Sequence, residues 1–340
     1  INYPLFDRLL ERQIQAGVAA VVLAGTTGES PTLSDAEKIA LFRRGKSLAN
    51  GRCLIIAGTG SNSTEHTIAL SRDAEAAGAD ALLVVAPYYN KGNPDGQYHH
   101  YKAIAKSVRI PVILYNVPSR TGVDISVNVY KQLSEIANVV GVKEASTDIT
   151  KISRIRNQCS KDFHFWSGND DQIVPIMALG GIGVISVLSN VLPKETNEMC
   201  QKFFDGDVKG AAEMQFKYFG LIKALFSEVN PIPAKAAMNE LGFCTNEIRL
   251  PLCEMEPHNE DVLKDNLNKH ALYIHSEAYA AGELKHGTIS LVDDGTPVIS
   301  IITDKDIKEK TISNVQEVKA RGAKCIIISN EEITGYVSCT

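Results

Sequence analysis

"ADALLVVAPYYNKGNPDGQYHHYKAIAKSVRIPVILYNVP", residues 79–118, carries two apolar runs separated by an amphipathic, helix-like stretch. The runs "ADALLVVAPYY" (79–89) and "IPVILYNVP" (110–118) are nearly continuous in apolar side chains, as strands buried on both faces are. A helical crossover between two such strands makes them parallel. The same alternation extends in both directions, with runs at "AAVVLAG" (19–25), "CLIIAGTG" (53–60), "VVGVK" (139–143), "FHFWSGND" (163–170) and "IGVISVLSN" (182–190). Seven strands are therefore predicted. Helices between them open on capping signals: Ser34 with Glu37 three residues on, and Ser63 or Thr64 before the next helical run.

Seven βα units, with an eighth strand expected just before residue 1, predict an α/β fold of the (β/α)₈ TIM-barrel type whose first strand is missing. An open doubly wound sheet fits the spacing nearly as well. The chain starts at Ile1 rather than Met, and an apolar-faced helix begins almost at once, so its front is expected to be clipped. Residues 193–268 read as helices, with "EVNPIPAKAAMNELG" giving a proline-bounded one and the last ending near "NLNKH". After His270 the character changes without a Gly/Ser-rich or Pro-rich linker. Residues 271–340 predict a helical turn, a strand at "PVISIITD", a helix across 306–320 and a strand at "KCIIISN". The expected division is a barrel domain over 1–192, its C-terminal helical extension over 193–270, and a partial α/β fragment over 271–340.

Composition excludes several classes. The net charge is −5 and no basic block occurs, so neither nucleic acid nor an anionic membrane is an expected partner. The seven cysteines are scattered, without C-x-x-C pairs, as reduced thiols are. No basic-then-apolar leader and no apolar run of membrane-spanning length is present, so the expected compartment is the cytoplasm. His99 and His100 are adjacent on a predicted helix and cannot face one ion together; no metal site is expected.

In either architecture, function belongs at the carboxyl ends of the strands. Polar residues gather there: "GTTGES", "GTGSN", "PYYNKG", "YNVPSRTG", "KEAS" and "SGNDD". Lys143, in "VVGVKEAS", belongs to this ring. A lysine amine attacks a ketone only when neutral, which apolar surroundings favour. The plainer reading is a lysine that reaches the rim and pairs with Glu144. Its company argues for chemistry: Tyr115 as a proton carrier and Arg120 as a carboxylate fork from "LYNVPSRTG", with hydroxyls and backbone N–H groups from "GTTGES" to hold a small carboxylate. Taken singly, the tyrosine is ordinary core packing and Gly-Thr-Thr-Gly an ordinary turn.

With these motifs in order, residues 1–270 resemble the 4-hydroxy-tetrahydrodipicolinate synthase (dihydrodipicolinate synthase) family. The resemblance runs through "GTTGES", "AGTGSN", "APYYNK", "YNVPSRTG", "GVKEAS", "SGND", "GVISV" and "EVNPIPAKAA". It implies a barrel with a C-terminal helical extension, a homo-oligomer built as a tetramer of tight dimers, and a class I aldolase without metal or organic cofactor. The implied substrates are pyruvate and aspartate 4-semialdehyde. Lys143 would form the imine; Tyr115, hydrogen-bonded to Thr26, would relay protons; Tyr89 would complete the relay from the neighbouring subunit. Thr27 would hold the pyruvate carboxylate, Arg120 the second substrate's carboxylate, and Gly168 and Ile185 would line the pocket by backbone. Another pyruvate aldolase, N-acetylneuraminate lyase, would share the lysine and tyrosine, but Arg120 and the second threonine of "GTTGES" depart from it. Some members of the synthase family bind lysine with residues matching Ser30, Asn62 and Tyr88. Here Lys38 and His66 stand where those members carry a histidine and a glutamate, so weak or absent lysine inhibition is expected.

"YIHSEAYAAGELKHGTISLVDDGTPVIS" and "SNVQEVKARGA" resemble the isomerase half of glutamine:fructose-6-phosphate aminotransferase, a sugar-isomerase (SIS-like) domain, which this fragment would represent only in part. His286 matches that family's ring-opening histidine. The lysine and glutamates the family places upstream fall where this chain has the preceding helix, so no isomerase activity is expected. A sugar-phosphate-binding tail and an inactive fusion remain the alternatives for this part.

Overall fold

The computed structural model describes residues 1–270, 297–302 and 308–329. The chain divides into two compact units, Ile1–Tyr273 and Ile274–Thr340.

The first unit opens with helix α1 (Tyr3–Gln15) and continues as strands alternating with helices: β1 (Ala20–Leu23), α2 (Asp35–Ala49), β2 (Leu54–Gly58), α3 (Thr64–Ala76), β3 (Ala81–Val85), α4 (Pro94–Ser107) and β4 (Val112–Asn116). A short α5 (Pro118–Thr121) and α6 (Val127–Leu133) lead to β5 (Val139–Glu144), α7 (Ile149–Gln158), β6 (His164–Ser167) and α8 (Ile173–Ala178). The six strands form one parallel sheet in sequence order, which excludes the reordered strands of a doubly wound fold. The capping box at Ser34 and Glu37 forms as predicted, and of the two candidates before α3 it is Ser63 that caps.

Strand alternation sorts the side chains into two layers. Ile55, Ala57, Leu82, Val84, Val112, Leu114 and Val142 point outward into the main core beneath the helices. Ile56, Leu83, Ile113 and Tyr115 point inward, with Val22, Val85 and Trp166 against them. Burying each large aliphatic side chain contributes about 2 kcal/mol, so the outer layer dominates the stability of the sheet.

The seventh predicted strand is a correction. "IGVISVLSN" joins the sheet through a single bridge, Ser167 to Val184, and then turns into the short helix α9 (Leu188–Val191). The turn into α9 coincides with Asp170, whose buried Oδ2 accepts the N–H groups of Val187 (3.0 Å) and Leu188 (2.9 Å). A side chain takes the donors that a strand would have given to a neighbour, and helix geometry follows.

Among the described residues β1 pairs only with β2, so the sheet is open between β1 and residues 182–185. Side chains of α1 reach toward this side. Arg12 donates to the carbonyls of Asn190 and Val191 (both 2.6 Å), and Gln13 to that of Ser189 (2.9 Å).

The extension comprises α10 (Pro193–Phe204), α11 (Val208–Lys217), α12 (Phe219–Ala224), α13 (Ile232–Glu240) and α14 (Pro257–Lys269). Its core continues into the barrel: Ile173, Val174 and Met177 of α8 belong to the same apolar cluster as Leu221, Ala237 and Leu263. The second unit contains β7 (Pro297–Ile302), α15 (Lys308–Ala320) and β8 (Lys324–Ser329), with β7 and β8 parallel. No helix among the described residues is long and apolar enough to cross a membrane.

Candidate active site

Tyr115 and Lys143 are register partners on β4 and β5, and their side chains share the inner face. Lys143 is 9% exposed, and its Nζ stands 4.5 Å from the centre of the Tyr115 ring. The next register pair, Asn116 and Glu144, faces the opposite way and is fully buried. Glu144 Oε1 accepts from Asn116 Nδ2 (2.7 Å) and from the N–H of Ser146 (2.9 Å); Oε2 accepts from the Tyr130 hydroxyl (2.9 Å) and lies 3.6 Å from Lys151 Nζ. Lys151 also pairs with Asp124. Burial, reinforced by the Glu144 carboxylate, drives the Tyr130 phenol well above its ordinary pKa. The plainer reading of Lys143 therefore fails, because Glu144 is consumed behind the sheet.

"GTTGES" forms a 3₁₀ turn over Thr26–Gly28 between two left-handed residues, Ala24 (φ 52°) and Glu29 (φ 55°). Non-glycine residues adopt this conformation only where their surroundings enforce it. At Glu29 the enforcing contacts are Lys235 Nζ (2.6 Å) and the N–H of Arg249 (3.1 Å), both from the extension. Arg249 also forks onto Glu37 (2.9 and 2.6 Å).

Asn230, absent from the sequence-predicted set, joins two elements of the site. Its Nδ2 donates to Thr27 Oγ1 (2.9 Å), and its carbonyl accepts from Arg120 Nη2 (2.7 Å). The signal lay in "EVNPIPAKAA", but the contacts span 203 and 110 positions of sequence and no local pattern reveals them.

Gly168 sits at the rim of the cavity. Its N–H donates to the Glu144 carbonyl (2.7 Å), and a Cβ there would come within 2.6 Å of the Ala145 Cβ. Ile185 bonds by its N–H to the Ser167 carbonyl (2.9 Å). Thr26, Thr27, Tyr115, Arg120, Lys143, Gly168 and Ile185 line one cavity, and Ser30, Asn62 and Tyr88 line it further out. Its volume of about 2250 Å³ exceeds that of an ordinary ligand pocket because the barrel interior opens onto the gap beside β1.

One expectation departs from the structure. The Tyr115 and Thr26 hydroxyls have no hydrogen-bond partner among the described residues, so the bond expected between them is not formed. Tyr89 does not line the cavity; it is 87% exposed, with a left-handed backbone (φ 70°). His286 lies outside the described residues.

Comparison with known proteins bears on this arrangement. The dihydrodipicolinate synthetase family model matches residues 1–270. The chain belongs to the dihydrodipicolinate synthetase family. It is 47% identical over 272 residues to a 4-hydroxy-tetrahydrodipicolinate synthase of Acetivibrio thermocellus, covering 80% of this chain and 92% of that relative. Among solved structures it is similar to the dihydrodipicolinate synthase of Aquifex aeolicus (TM-score 0.79, 43% identity, 81% of this chain and 94% of that one). It is likewise similar to the chloride-inhibited dihydrodipicolinate synthase of Acinetobacter baumannii in complex with pyruvate (TM-score 0.78, 40% identity, 80% and 94%). The family's barrel accounts for the curl of the parallel sheet. Residues 266–335 match a second model, the SIS domain.

Proposed function

We propose that the unit containing Lys143 is a Schiff-base aldolase that condenses pyruvate with L-aspartate 4-semialdehyde to 4-hydroxy-tetrahydrodipicolinate, in diaminopimelate and lysine biosynthesis in the cytoplasm. The observation that carries this reading is a buried lysine at a strand end, stacked on a tyrosine, with its neighbouring carboxylate sequestered on the other face. A lysine amine not tied up in a salt bridge is free to approach a ketone carbon.

The neutral amine of Lys143 adds to C2 of pyruvate and expels water, leaving an imine. Loss of a proton from C3 makes the enamine, whose carbon bonds to the aldehyde carbon of the semialdehyde while the aldehyde oxygen gains a proton. The substrate's amino group then adds to the imine carbon, displaces the lysine amine and closes the ring. Tyr115 and Thr26 carry the protons, with Tyr89 of a second copy completing the relay; exposure of Tyr89 to solvent supports a role outside its own barrel. Thr27 holds the pyruvate carboxylate and Arg120 that of the semialdehyde, with Gly168 and Ile185 lining the pocket by backbone. The assembly is a tetramer of tight dimers. Every group assigned to this chemistry lies before residue 271.

Borohydride trapping tests the reading. Incubation with pyruvate and reductant, followed by peptide mapping, should leave a pyruvate-sized reduced adduct on Lys143. A cooperatively folded chain that forms no adduct would exclude the imine mechanism.

A further inference from the structure

We infer that Asn230 is a positioning residue that fixes the hydrogen-bond polarity of Thr27, so that the Thr27 hydroxyl can only donate toward the bound carboxylate. The inference deepens the proposed function and rests on it.

A threonine hydroxyl has one proton and two lone pairs, and which it turns toward a ligand depends on what its other neighbour demands. Asn230 Nδ2 donates to Thr27 Oγ1 at 2.9 Å. The reverse bond, Thr27 Oγ1 to Asn230 Oδ1, is 3.4 Å long and therefore the weaker. With a lone pair occupied by the amide, the hydroxyl proton is left for the cavity. That is the orientation a carboxylate requires, because a lone pair turned toward it would repel.

Asn230 is itself held. It is 5% exposed, and its carbonyl accepts from Arg120 Nη2 at 2.7 Å. One buried residue thus orients the donor for one carboxylate through its side chain and steadies the guanidinium for the other through its main chain. The two functions are separable: a change of side chain alters the first and leaves the carbonyl for Arg120.

Asn230→Asp is the decisive variant. It preserves shape but replaces the N–H donor with an acceptor, which takes the Thr27 proton and turns a lone pair to the cavity. The readouts are the pyruvate concentration that half-saturates borohydride-trapped adduct on Lys143 and the KM for aspartate semialdehyde. N230D should raise the pyruvate half-saturation about tenfold or more and Asn230→Ala about threefold, the semialdehyde KM staying within about twofold. In a Thr27→Val background, which itself should cost about tenfold, N230D should add less than twofold. That non-additivity is what action through Thr27 requires and a merely structural role would not produce.

An N230D protein that binds pyruvate as the wild type does, or an effect that persists in full in T27V, overturns the inference while leaving the imine reading intact. A wild-type chain that forms no adduct overturns that reading and the inference with it. Where N230D fails to fold, the N230A and T27V cycle decides by the same criterion.

Discussion

Lys143 and Glu144 are consecutive in the chain and serve opposite sides of one sheet. The lysine faces the cavity over Tyr115, while the carboxylate is locked behind it among Asn116, Tyr130 and Lys151. Their substitutions should therefore separate function from stability. Lys143→Met should abolish adduct formation and lower kcat by at least about 10³-fold, with the urea midpoint almost unchanged. Glu144→Gln should cost about 3 kcal/mol in urea denaturation, because it leaves the buried Lys151 short of a partner.

Acid should loosen the tie between the "GTTGES" region and the extension. Hydrogen bonds from Arg249 and from the Ser34 backbone lower the Glu37 pKa from 4.5 to about 2. A carboxylate depressed on folding contributes stability that is complete above its unfolded pKa and lost as pH falls through the folded one. The window is thus from about pH 4.5 down to about 2. Melting temperature measured across it should fall more steeply in the wild type than in Arg249→Met.

Lysine should inhibit weakly or not at all. At the outer part of the cavity His66 Nε2 lies 2.7 Å from Asp35 Oδ2, and Lys38 Nζ is 3.8 Å from Asp35 Oδ1. Asp35 is engaged by both, and the lysine's charge opposes an incoming ammonium group. An inhibition constant in the low-millimolar range or tighter would contradict this.

The second unit should be sticky. Ile299 and Ile301 on β7 are register partners of Ile326 and Ile328 on β8, and all four are 54–65% exposed on one face. Contiguous apolar surface of this kind binds hydrophobic dyes and self-associates. Ile299→Lys combined with Ile326→Glu should lower dye fluorescence and light scattering without changing aldolase activity.

Six of the seven predicted strands were legible because parallel strands buried on both faces need uninterrupted apolar runs, and 81–85 and 112–116 have them. The seventh was over-read: "IGVISVLSN" has strand composition, but capture of Val187 and Leu188 by Asp170 is a tertiary event invisible in local pattern. Lys143, Tyr115, Arg120 and Thr27 were readable because strand ends and their turns concentrate chemistry. Asn230 was not, since its partners come from distant chain. The missing bond between Tyr115 and Thr26 shows where resemblance implied more than the geometry holds.

Tyr89 carries a last consequence. Its side chain is held in solvent on a left-handed backbone, and in the proposed relay it is lent to a neighbour. Two defective chains should then rescue each other. Lys143→Ala keeps a sound tyrosine to lend, and Tyr89→Phe keeps a sound lysine to be served. Co-expressed in equal amounts, half of the resulting dimers are mixed and each contains one intact site, so activity should recover to about a quarter of the wild-type level.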